Sequence, residues 1–289
     1  MFQGRREESD EKNKKFLFDP KKIDVVLLSH AHIDHAGRIP LLVKAGFKGP
    51  IYSTFATRDL CNYMLMDSAF IQERETEYVN KRLKKKNKPL IEPIYNQDDA
   101  QETLTQFVGV SYDHPFVVTD GVVCCFYDAG HILGSAVIHL TIHDNETGKT
   151  IRLGFTGDLG RKNIPILRDP VVMPKVDVLI SESTYGNRLH KSLLNVEDDL
   201  AEIINMTAKR GGKVLIPAFS LERTQEIVYD LNLLWQAKKI PEIPIFVDSP
   251  LSGNVTEVFK AHPECFDRTT YREFLDEEKD PFGFGRLRY

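Results

Sequence analysis

The sequence His30-Ala31-His32-Ile33-Asp34-His35 contains four candidate metal ligands within six residues. It directly follows an apolar run at residues 25–28, which is typical of a buried strand. Neutral imidazoles suit zinc, and a carboxylate beside them allows a second cation to share the site. Side chains at alternate positions of an extended segment point the same way, so His30 and His32 should face one ion. The turn after them should direct Asp34 and His35 toward a second ion, and the spacing therefore predicts a site for two metals.

Two later motifs each add one candidate ligand. His131 lies in the run AGHILGSA at residues 129–136, whose small residues allow a close approach of the backbone. Asp158 lies in GDLG at residues 157–160, after a predicted strand, where its carboxylate could bridge two cations. Each residue taken alone has an ordinary structural interpretation, as a satisfied histidine and as a turn aspartate. Because both occur together with the first cluster, we interpret both as metal ligands.

The composition is that of an ordinary globular protein, with 289 residues, 42% hydrophobic content and 28% charged content. Its four cysteines include the adjacent pair Cys124 and Cys125, which suits neither a disulfide framework nor a Cys-x-x-Cys metal site. The first residues are charged rather than apolar, and no run of the sequence reaches membrane-spanning length. We therefore expect reduced cysteines in a soluble, cytoplasmic protein that has no membrane partner.

The net charge of −4 provides no general basic field that would attract a nucleic acid. Positive charge is concentrated at residues 81–88, which read KRLKKKNK. Such a run is more often a solvated helix end or loop than a binding site for phosphates, and we interpret it in that way. The overall charge therefore counts against an RNA substrate, and the sequence indicates no oligomeric state.

Short aliphatic runs alternate with longer stretches of helical periodicity, which predicts an α/β sandwich. A polar turn at residues 143–149 joins two of the strands in a hairpin. The pattern changes after residue 188, so we place a domain boundary near His190. The predicted strands lie at residues 25–28, 122–127, 136–142, 151–155, 178–180, 214–216 and 245–247, and the predicted helices lie around residues 60–78, 200–204 and 221–235.

The motif order HxHxDH, AGHxxGSA and GDLG resembles the metallo-β-lactamase superfamily. The resemblance implies an αββα sandwich and a hydrolase with two zinc ions. It also implies their ligands: the first zinc is held by His30, His32 and His131, the second by Asp34 and His35, and Asp158 bridges the two ions.

Three later segments resemble the β-CASP subgroup of this superfamily: SESTYG at residues 181–186, KVLIPAFSLERTQ at 213–225 and FVDSP at 246–250. Members of the subgroup process nucleic acids, and Glu182 has the residue type of many RNA-cleaving members. The resemblance gives Glu182 a catalytic role, in which it hydrogen-bonds a histidine that protonates the leaving oxygen. It implies an RNA substrate.

Compared with that subgroup, the chain resembles the middle of a longer enzyme. Members usually begin with strands that end in an acidic motif, and they finish with two further histidine motifs. We therefore expect a metallo-β-lactamase domain at residues 1–190 that lacks its first strands and its C-terminal part, followed by a partial β-CASP domain at residues 191–289. The second zinc site is then incomplete, and the histidine proton donor lies outside this chain.

The leading hypothesis is a zinc-dependent ribonuclease that hydrolyses RNA phosphodiester bonds with a hydroxide held between two zinc ions. Asp34 would also orient the hydroxide. Two divalent cations against Asp34, Asp158 and the hydroxide leave a charge of about +1, which attracts a phosphodiester. Cleavage within the RNA and cleavage from its 5′ end both remain open. Two alternatives also remain open: a hydrolase of small thioesters or lactones with the same fold, and a catalytically inactive zinc-binding fragment.

Overall fold

A computed structural model describes residues 1–2, 11–189 and 196–289 of the chain, and these form two compact units. Unit 1 comprises Met1–Leu159 and Val171–Ser181, and unit 2 comprises Gly160–Pro170 and Glu182–Tyr289. The expected domain boundary near His190 lies outside the described residues. The division into domains at residues 1–190 and 191–289 therefore stays a prediction.

Unit 1 contains two β-sheets, whose strands are β1 (Val26–Leu27), β2 (Ile51–Thr54), β3 (Phe107–Val110), β4 (Phe116–Thr119), β5 (Val122–Asp128), β6 (Ala136–His143), β7 (Thr150–Phe155) and β8 (Val178–Ile180). The first sheet is parallel and has the order β1-β2-β3. The second sheet has the order β4-β5-β6-β7-β8, and it is antiparallel except for the last pair, β7 and β8. The strands predicted at residues 122–127, 136–142 and 151–155 are thus present and form the centre of this second sheet.

The helices of unit 1 are α1 (Ile33–Ala36), α2 (Ile39–Lys44), α3 (Phe55–Lys85) and α4 (Gln97–Leu104). Helix α3 packs against β2 and β3, and α4 contacts both α2 and α3, which gives the first sheet a helical layer. Thr54 caps the start of α3 by accepting a hydrogen bond from the Thr57 amide. Among the described residues, no helix is both long enough and apolar enough to cross a lipid bilayer.

The core of unit 1 lies between the two sheets. Side chains alternate along β5 and β6, so that Phe126 and Ile138 are buried on the face toward the first sheet. Leu27 of β1 and Tyr52 of β2 pack against this cluster from the opposite side. Unit 1 therefore has helix, sheet and sheet layers around one apolar core, and the predicted α/β class is confirmed.

Unit 2 is built mainly from helices α5 (Val196–Lys209), α6 (Arg223–Gln236), α7 (Pro250–Ala261) and α8 (Arg268–Tyr271), with a short parallel pair β9 (Ile245–Phe246) and β10 (Leu287–Arg288). Buried side chains of α5 and α6, among them Ile204 and Leu231, form its hydrophobic core. The fully buried Gln225 of α6 donates to Thr256 of α7 at 3.0 Å. The helical periodicity at residues 200–204 and 221–235 predicted α5 and α6.

The prediction of a strand at residues 214–216 is wrong, because the structure has no strand there. Leu215 is 92% exposed, and no strand among the described residues pairs with this segment. A strand is stable only within a hydrogen-bonded sheet, so an apolar run without a pairing partner stays irregular. Strand β8 is present as predicted, but its three residues are exposed rather than buried.

We expect Phe126→Ala to destabilise unit 1 by about 3 to 5 kcal/mol, because it leaves a cavity in the core between the sheets. The matched control is Val117→Ala on β4, whose side chain is 68% exposed and whose loss should cost under about 1 kcal/mol. Urea unfolding followed by near-UV circular dichroism measures both. Equal destabilisation by the two changes would contradict this description of the core.

Candidate metal centre

Four of the predicted ligands converge in unit 1, although they come from three separate loops. One ligand atom from each of His30, His32, His131 and Asp158 lies within 4.8 Å of the other three. Nε2 of His131 is 3.2 Å from Nδ1 of His32 and 3.5 Å from Oδ2 of Asp158. Nε2 of His30 is 3.8 Å from the same carboxylate oxygen. Three imidazole nitrogens and one carboxylate oxygen at such spacing make up the donor set of a metal site.

The first loop leaves β1 and presents His30 from inside the protein. The Leu28 amide donates to Tyr52 of β2, and the carbonyl of Ser29 accepts from the Ala136 amide, so the loop is fastened to both sheets. The His30 side chain is completely buried, and its Nδ1 lies 3.1 Å from the Ser29 hydroxyl. Its Nε2 therefore faces the cluster, where it has no hydrogen-bond partner among the described residues. A buried nitrogen of this kind is costly unless a ligand occupies it, which fits a metal ion.

Helix α1 follows at once and carries the other two candidates. Its single turn starts after His32 and includes Asp34 and His35. Nε2 of His35 lies 3.3 Å from Oδ1 of Asp158 and 3.8 Å from Oδ2 of Asp34. The two oxygens of Asp158 thus face different histidines, because Oδ2 faces His30 and His131 whereas Oδ1 faces His35.

The loop between β5 and β6 holds His131 in place through the Ser135 hydroxyl, which accepts from the His131 amide at 3.0 Å. The same loop is attached to the start of α3, where the hydroxyls of Thr54 and Thr57 donate to the Gly134 carbonyl at 2.6 and 2.8 Å. Gly134 has a φ of +77°, and a Cβ atom there would lie 2.6 Å from the Thr57 backbone nitrogen. Only glycine fits this conformation and this close approach.

The third loop follows β7 and delivers Asp158. The Thr156 amide donates to the Ile180 carbonyl at 3.0 Å, which extends the β7–β8 pairing to the edge of the site. Gly157 has a φ of +56°, and a Cβ atom there would lie 2.8 Å from the Ser29 side chain. This glycine therefore allows the Asp158 loop to approach the loop that carries His30.

The electrostatics disfavour protonation of His30 and His32 and keep the Asp158 carboxylate charged. Burial, together with the nearby His131, lowers the pKa of His32 to about 4. Burial and the neighbouring histidines also lower the pKa of His30 well below its usual range. The hydrogen bond between His35 and Asp158 lowers the pKa of Asp158 and raises the pKa of His35. At neutral pH the buried imidazoles therefore offer lone pairs, and Asp158 offers a negative charge.

The centre is closed on one side and open on the other. His30 is completely buried, as are Ala31 and Leu133, which neighbour the ligands His30, His32 and His131 in the sequence. The Asp34 side chain is 42% exposed and that of Asp158 is 30% exposed. A reacting group can therefore reach the carboxylates from solvent, while the imidazole of His30 is shielded from water.

Glu182 is not a member of this cluster. It is the first residue of the second segment of unit 2, it is half-buried, and its carboxylate accepts a hydrogen bond from the Thr184 amide at 3.2 Å. Its catalytic role stays a prediction.

The remaining histidines that the structure describes lie outside the cluster. His143 is exposed beside Thr150, and His262 is buried with its Nδ1 2.7 Å from Glu264. His114 is exposed and His139 is buried in β6, whereas His190 lies outside the described residues.

Sequence reasoning missed the residues that position the ligands. Ser29 orients His30, Ser135 holds the His131 loop, and Thr54 and Thr57 attach that loop to α3. Ser29 and Ser135 stand next to or within the ligand motifs, so proximity in sequence could have indicated them. The two threonines are about 75 residues from His131 in sequence, and only the packing of α3 reveals them.

Comparison with protein families gives two matches. Residues 5–136 match the model of the metallo-beta-lactamase superfamily, and residues 224–289 match the model of the Beta-Casp domain. The first match contains His30, His32, Asp34, His35 and His131. Both matches confirm the resemblance that the sequence motifs indicated.

Similar curated proteins include Ribonuclease TTHA0252 of Thermus thermophilus, which is 34% identical over 282 residues that cover 98% of this chain and 58% of that protein. The transcription termination factor FttA of Methanosarcina mazei is 31% identical over 283 residues, which cover 95% of this chain and 41% of that protein. The endoribonuclease YSH1 of Saccharomyces cerevisiae is 31% identical over 278 residues, which cover 94% of this chain and 34% of that protein. The chain thus spans between about a third and somewhat over half of the length of these relatives.

We expect His131→Ala to weaken zinc binding by more than roughly a hundredfold, since even the loss of an outer partner of a ligand costs roughly 10- to 100-fold. The matched control is His143→Ala, which removes an exposed histidine at the end of β6 and should leave zinc binding unchanged. Competition with a chromophoric chelator measures the affinity. Equal zinc affinity in the two variants would show that His131 is no ligand.

We also expect Gly134→Ala to weaken zinc binding and to destabilise unit 1, because the new methyl group forces the His131 loop away from α3. The matched control is Gly148→Ala, where φ is +67° but nothing lies within 4 Å of the added Cβ. Both variants share the backbone strain of about 1 kcal/mol, and only Gly134→Ala adds the steric clash. Chemical unfolding and zinc titration of the two variants test this, and the same zinc affinity in both would rule out a positioning role for Gly134.

Proposed function

The chain belongs to the metallo-β-lactamase superfamily and continues into a Beta-Casp domain, and we propose that it is the catalytic core of a zinc-dependent ribonuclease. The observation that carries the proposal is the convergence of His30, His32, His131 and Asp158 in a chain whose later residues match the Beta-Casp domain. Relatives that are named as a ribonuclease and as an endoribonuclease support RNA as the substrate.

We assign two zinc ions to the centre. His30, His32 and His131 would hold the first, because neutral imidazole nitrogens are favoured zinc ligands. Asp34 and His35 would hold the second. Asp158 would bridge the ions, since its two oxygens face different histidines. The second ion has fewer ligands from this chain, so we expect it to bind more weakly.

When bound, two zinc ions would lower the pKa of a shared water toward neutrality and stabilise the entering and leaving oxygens of a displacement at phosphorus. The residues of the chain prepare this chemistry. Ser29 fixes the ring of His30, and burial keeps that ring neutral. Asp34 is partly exposed beside His35, where its carboxylate would accept a hydrogen bond from the attacking water and orient it.

The open side of the centre favours a polymer as substrate. Asp34, His35 and Asp158 are partly exposed along the rim, with side-chain exposures of 42%, 26% and 30%. Sites for small molecules usually enclose most of their ligand in a concave pocket. The partial exposure of these side chains would instead make them accessible to one segment of a longer strand.

Two further assignments belong to the proposal. Glu182 would hydrogen-bond a histidine that protonates the leaving oxygen, as the resemblance implies. The protein would act in the cytoplasm, because its four cysteines are all buried and free, as expected under reducing conditions.

The proposal predicts zinc-dependent cleavage of labelled single-stranded RNA. We expect Asp158→Asn to lower the cleavage rate by more than about a hundredfold, because the amide carries no charge to hold two cations. The control is Asp120→Asn, an exposed carboxylate in the turn between β4 and β5, which should cleave at the normal rate. Labels at the 5′ and 3′ ends distinguish internal cleavage from cleavage at an end.

Other outcomes would favour the alternatives. Hydrolysis of a thioester or lactone without cleavage of RNA would identify a small-molecule hydrolase. Zinc binding with no hydrolysis of either class would identify an inactive zinc-binding protein. RNA cleavage that persists at the normal rate after zinc is removed with a chelator would contradict the proposed chemistry.

A further inference from the structure

The second half of helix α3 carries a surface that the metal centre does not explain. Helix α3 has 31 residues, and its buried positions end at Ala69, so the part from residue 70 onward lies mostly on the protein surface. Four side chains in this part follow each other at spacings of four residues and therefore share one face of the helix. We call them the α3 ridge: Phe70, Arg74, Tyr78 and Arg82.

The ridge consists of two exposed pairs, each with an arginine above an aromatic ring. The guanidinium of Arg74 lies 5.1 Å from the ring centre of Phe70, and that of Arg82 lies 5.3 Å from that of Tyr78. Phe70 is 44% exposed and Tyr78 is 60% exposed. Arg74 also pairs with Glu77 at 3.2 Å, but an exposed ion pair of this kind contributes little and leaves the cation accessible.

The surroundings of the ridge are strongly positive, although the protein as a whole has a net charge of −4. Residues 70–88 contain seven lysines and arginines against three glutamates. Lys81 and Lys85 lie seven residues after Arg74 and Tyr78, which places them on the same face. The sequence by itself predicts a solvated helix end or loop at residues 81–88. The exposed aromatic pairs beside it give it a second property, because flat rings interleaved with cations are what a single nucleic acid strand requires.

The opposite side of this part of α3 is hydrogen-bonded to the segment that follows the helix, at Ile91 and Gln97. The side-chain amide of Asn80 donates to the Ile91 carbonyl at 2.8 Å and accepts from the Ile91 amide at 2.9 Å. The Glu73 carboxylate accepts two hydrogen bonds from Gln97, one from its backbone amide at 3.0 Å and one from its side-chain amide at 2.6 Å. These hydrogen bonds fix the helix and leave the ridge on the solvent side.

The ridge has a fixed position relative to the metal centre, since both lie in unit 1 and α3 connects them. The start of α3 is hydrogen-bonded to the loop of His131 through Thr54 and Thr57. At a rise of about 1.5 Å per residue, Phe70 lies about 22 Å along the helix from Phe55, and the helix ends about 45 Å from that point. Phe70 is thus separated by about 22 Å of helix from the end of α3 that is fastened to the His131 loop, a length that a single strand of several nucleotides can span.

We propose that the α3 ridge, with Lys81 and Lys85, is an accessory binding surface for single-stranded RNA. Arg74, Arg82 and the two lysines bind phosphates, and Phe70 and Tyr78 stack with bases. The inference rests on the proposed ribonuclease function for its choice of RNA. It extends that function by assigning a site, at a distance from the metal centre, that holds the substrate.

Fluorescence anisotropy of the metal-free protein with a labelled oligouridine of about 20 nucleotides tests the binding at several salt concentrations. We expect Arg74→Gln/Arg82→Gln to weaken binding by about tenfold, and to reduce the salt slope by about 0.7 for each phosphate that is no longer neutralised. The matched control is Lys149→Gln/Arg152→Gln, which removes two exposed cations of the β6–β7 hairpin in the same unit and should bind normally. Equal affinity in the two double variants overturns the proposal.

The stacking step has its own test. We expect Tyr78→Leu to weaken RNA binding severalfold, whereas Tyr78→Phe keeps the ring and should bind normally. Circular dichroism melting verifies that α3 is intact in each variant. If the leucine and phenylalanine variants bind RNA equally, no base stacks on this ring. Loss of binding to phosphatidylserine vesicles in the arginine variant, with unchanged RNA binding, would assign the ridge to a membrane surface and overturn the proposal.

Cleavage assays separate this inference from the proposed function. A dinucleotide is too short to reach from the metal centre to the ridge, so the arginine variant should cleave it at the normal rate. The same variant should show a raised KM and an unchanged kcat on long RNA. If the unmodified protein does not cleave RNA but its RNA binding depends on the ridge, the proposed ribonuclease function is wrong, and the ridge is still an RNA-binding surface. If the unmodified protein and the arginine variant cleave long RNA with the same KM and kcat, the ridge does not bind RNA, and the proposed ribonuclease function is unaffected.

Discussion

The burial of His30 is the constraint on which the rest of the centre depends. Its ring is inaccessible to water, its Nδ1 is taken by Ser29, and its Nε2 faces inward without a hydrogen-bond partner among the described residues. A buried nitrogen without a hydrogen-bond partner is tolerated when it binds a ligand such as a metal ion. Two glycines with positive φ allow the other ligand loops to approach His30. Gly157 lets the Asp158 loop reach Ser29, and Gly134 lets the His131 loop reach the start of α3. The three loops converge because the two sheets that carry them share one apolar core.

The sequence predicted what depends on local pattern and missed what depends on distant packing. Strands β5, β6 and β7 follow from short apolar runs, and the ligand motifs identified the four residues that converge, His30, His32, His131 and Asp158. Residues 214–216 have the same apolar character but form no strand, since strand formation needs a partner that the run itself cannot specify. The threonines that attach the His131 loop to α3 carried no signal in the sequence, because a hydroxyl at a helix start is usually only a cap.

The distribution of charge would allow this acidic protein to accept the polyanion that we propose as its substrate. The excess of carboxylates is global, whereas the proposed substrate would meet cations at two places, the metal centre and the α3 ridge. Pairing of His35 with Asp158 keeps the carboxylate charged and ready to hold ions. Helix α3 links the two places as one rigid element. Its first turn supports the ligand loop, and its exposed second half extends away from the core, so one helix would serve both the chemistry and the capture of RNA.

Anomalous X-ray diffraction at the zinc edge, from crystals grown with excess zinc, tests whether the cluster holds two zinc ions. We expect a strong peak among His30, His32 and His131, and a second, weaker peak beside Asp34 and His35. The two peaks should be about 3.5 to 4 Å apart, with Asp158 between them. A single peak would contradict the dinuclear centre. The absence of any peak within the cluster would contradict the assignment of these residues as metal ligands.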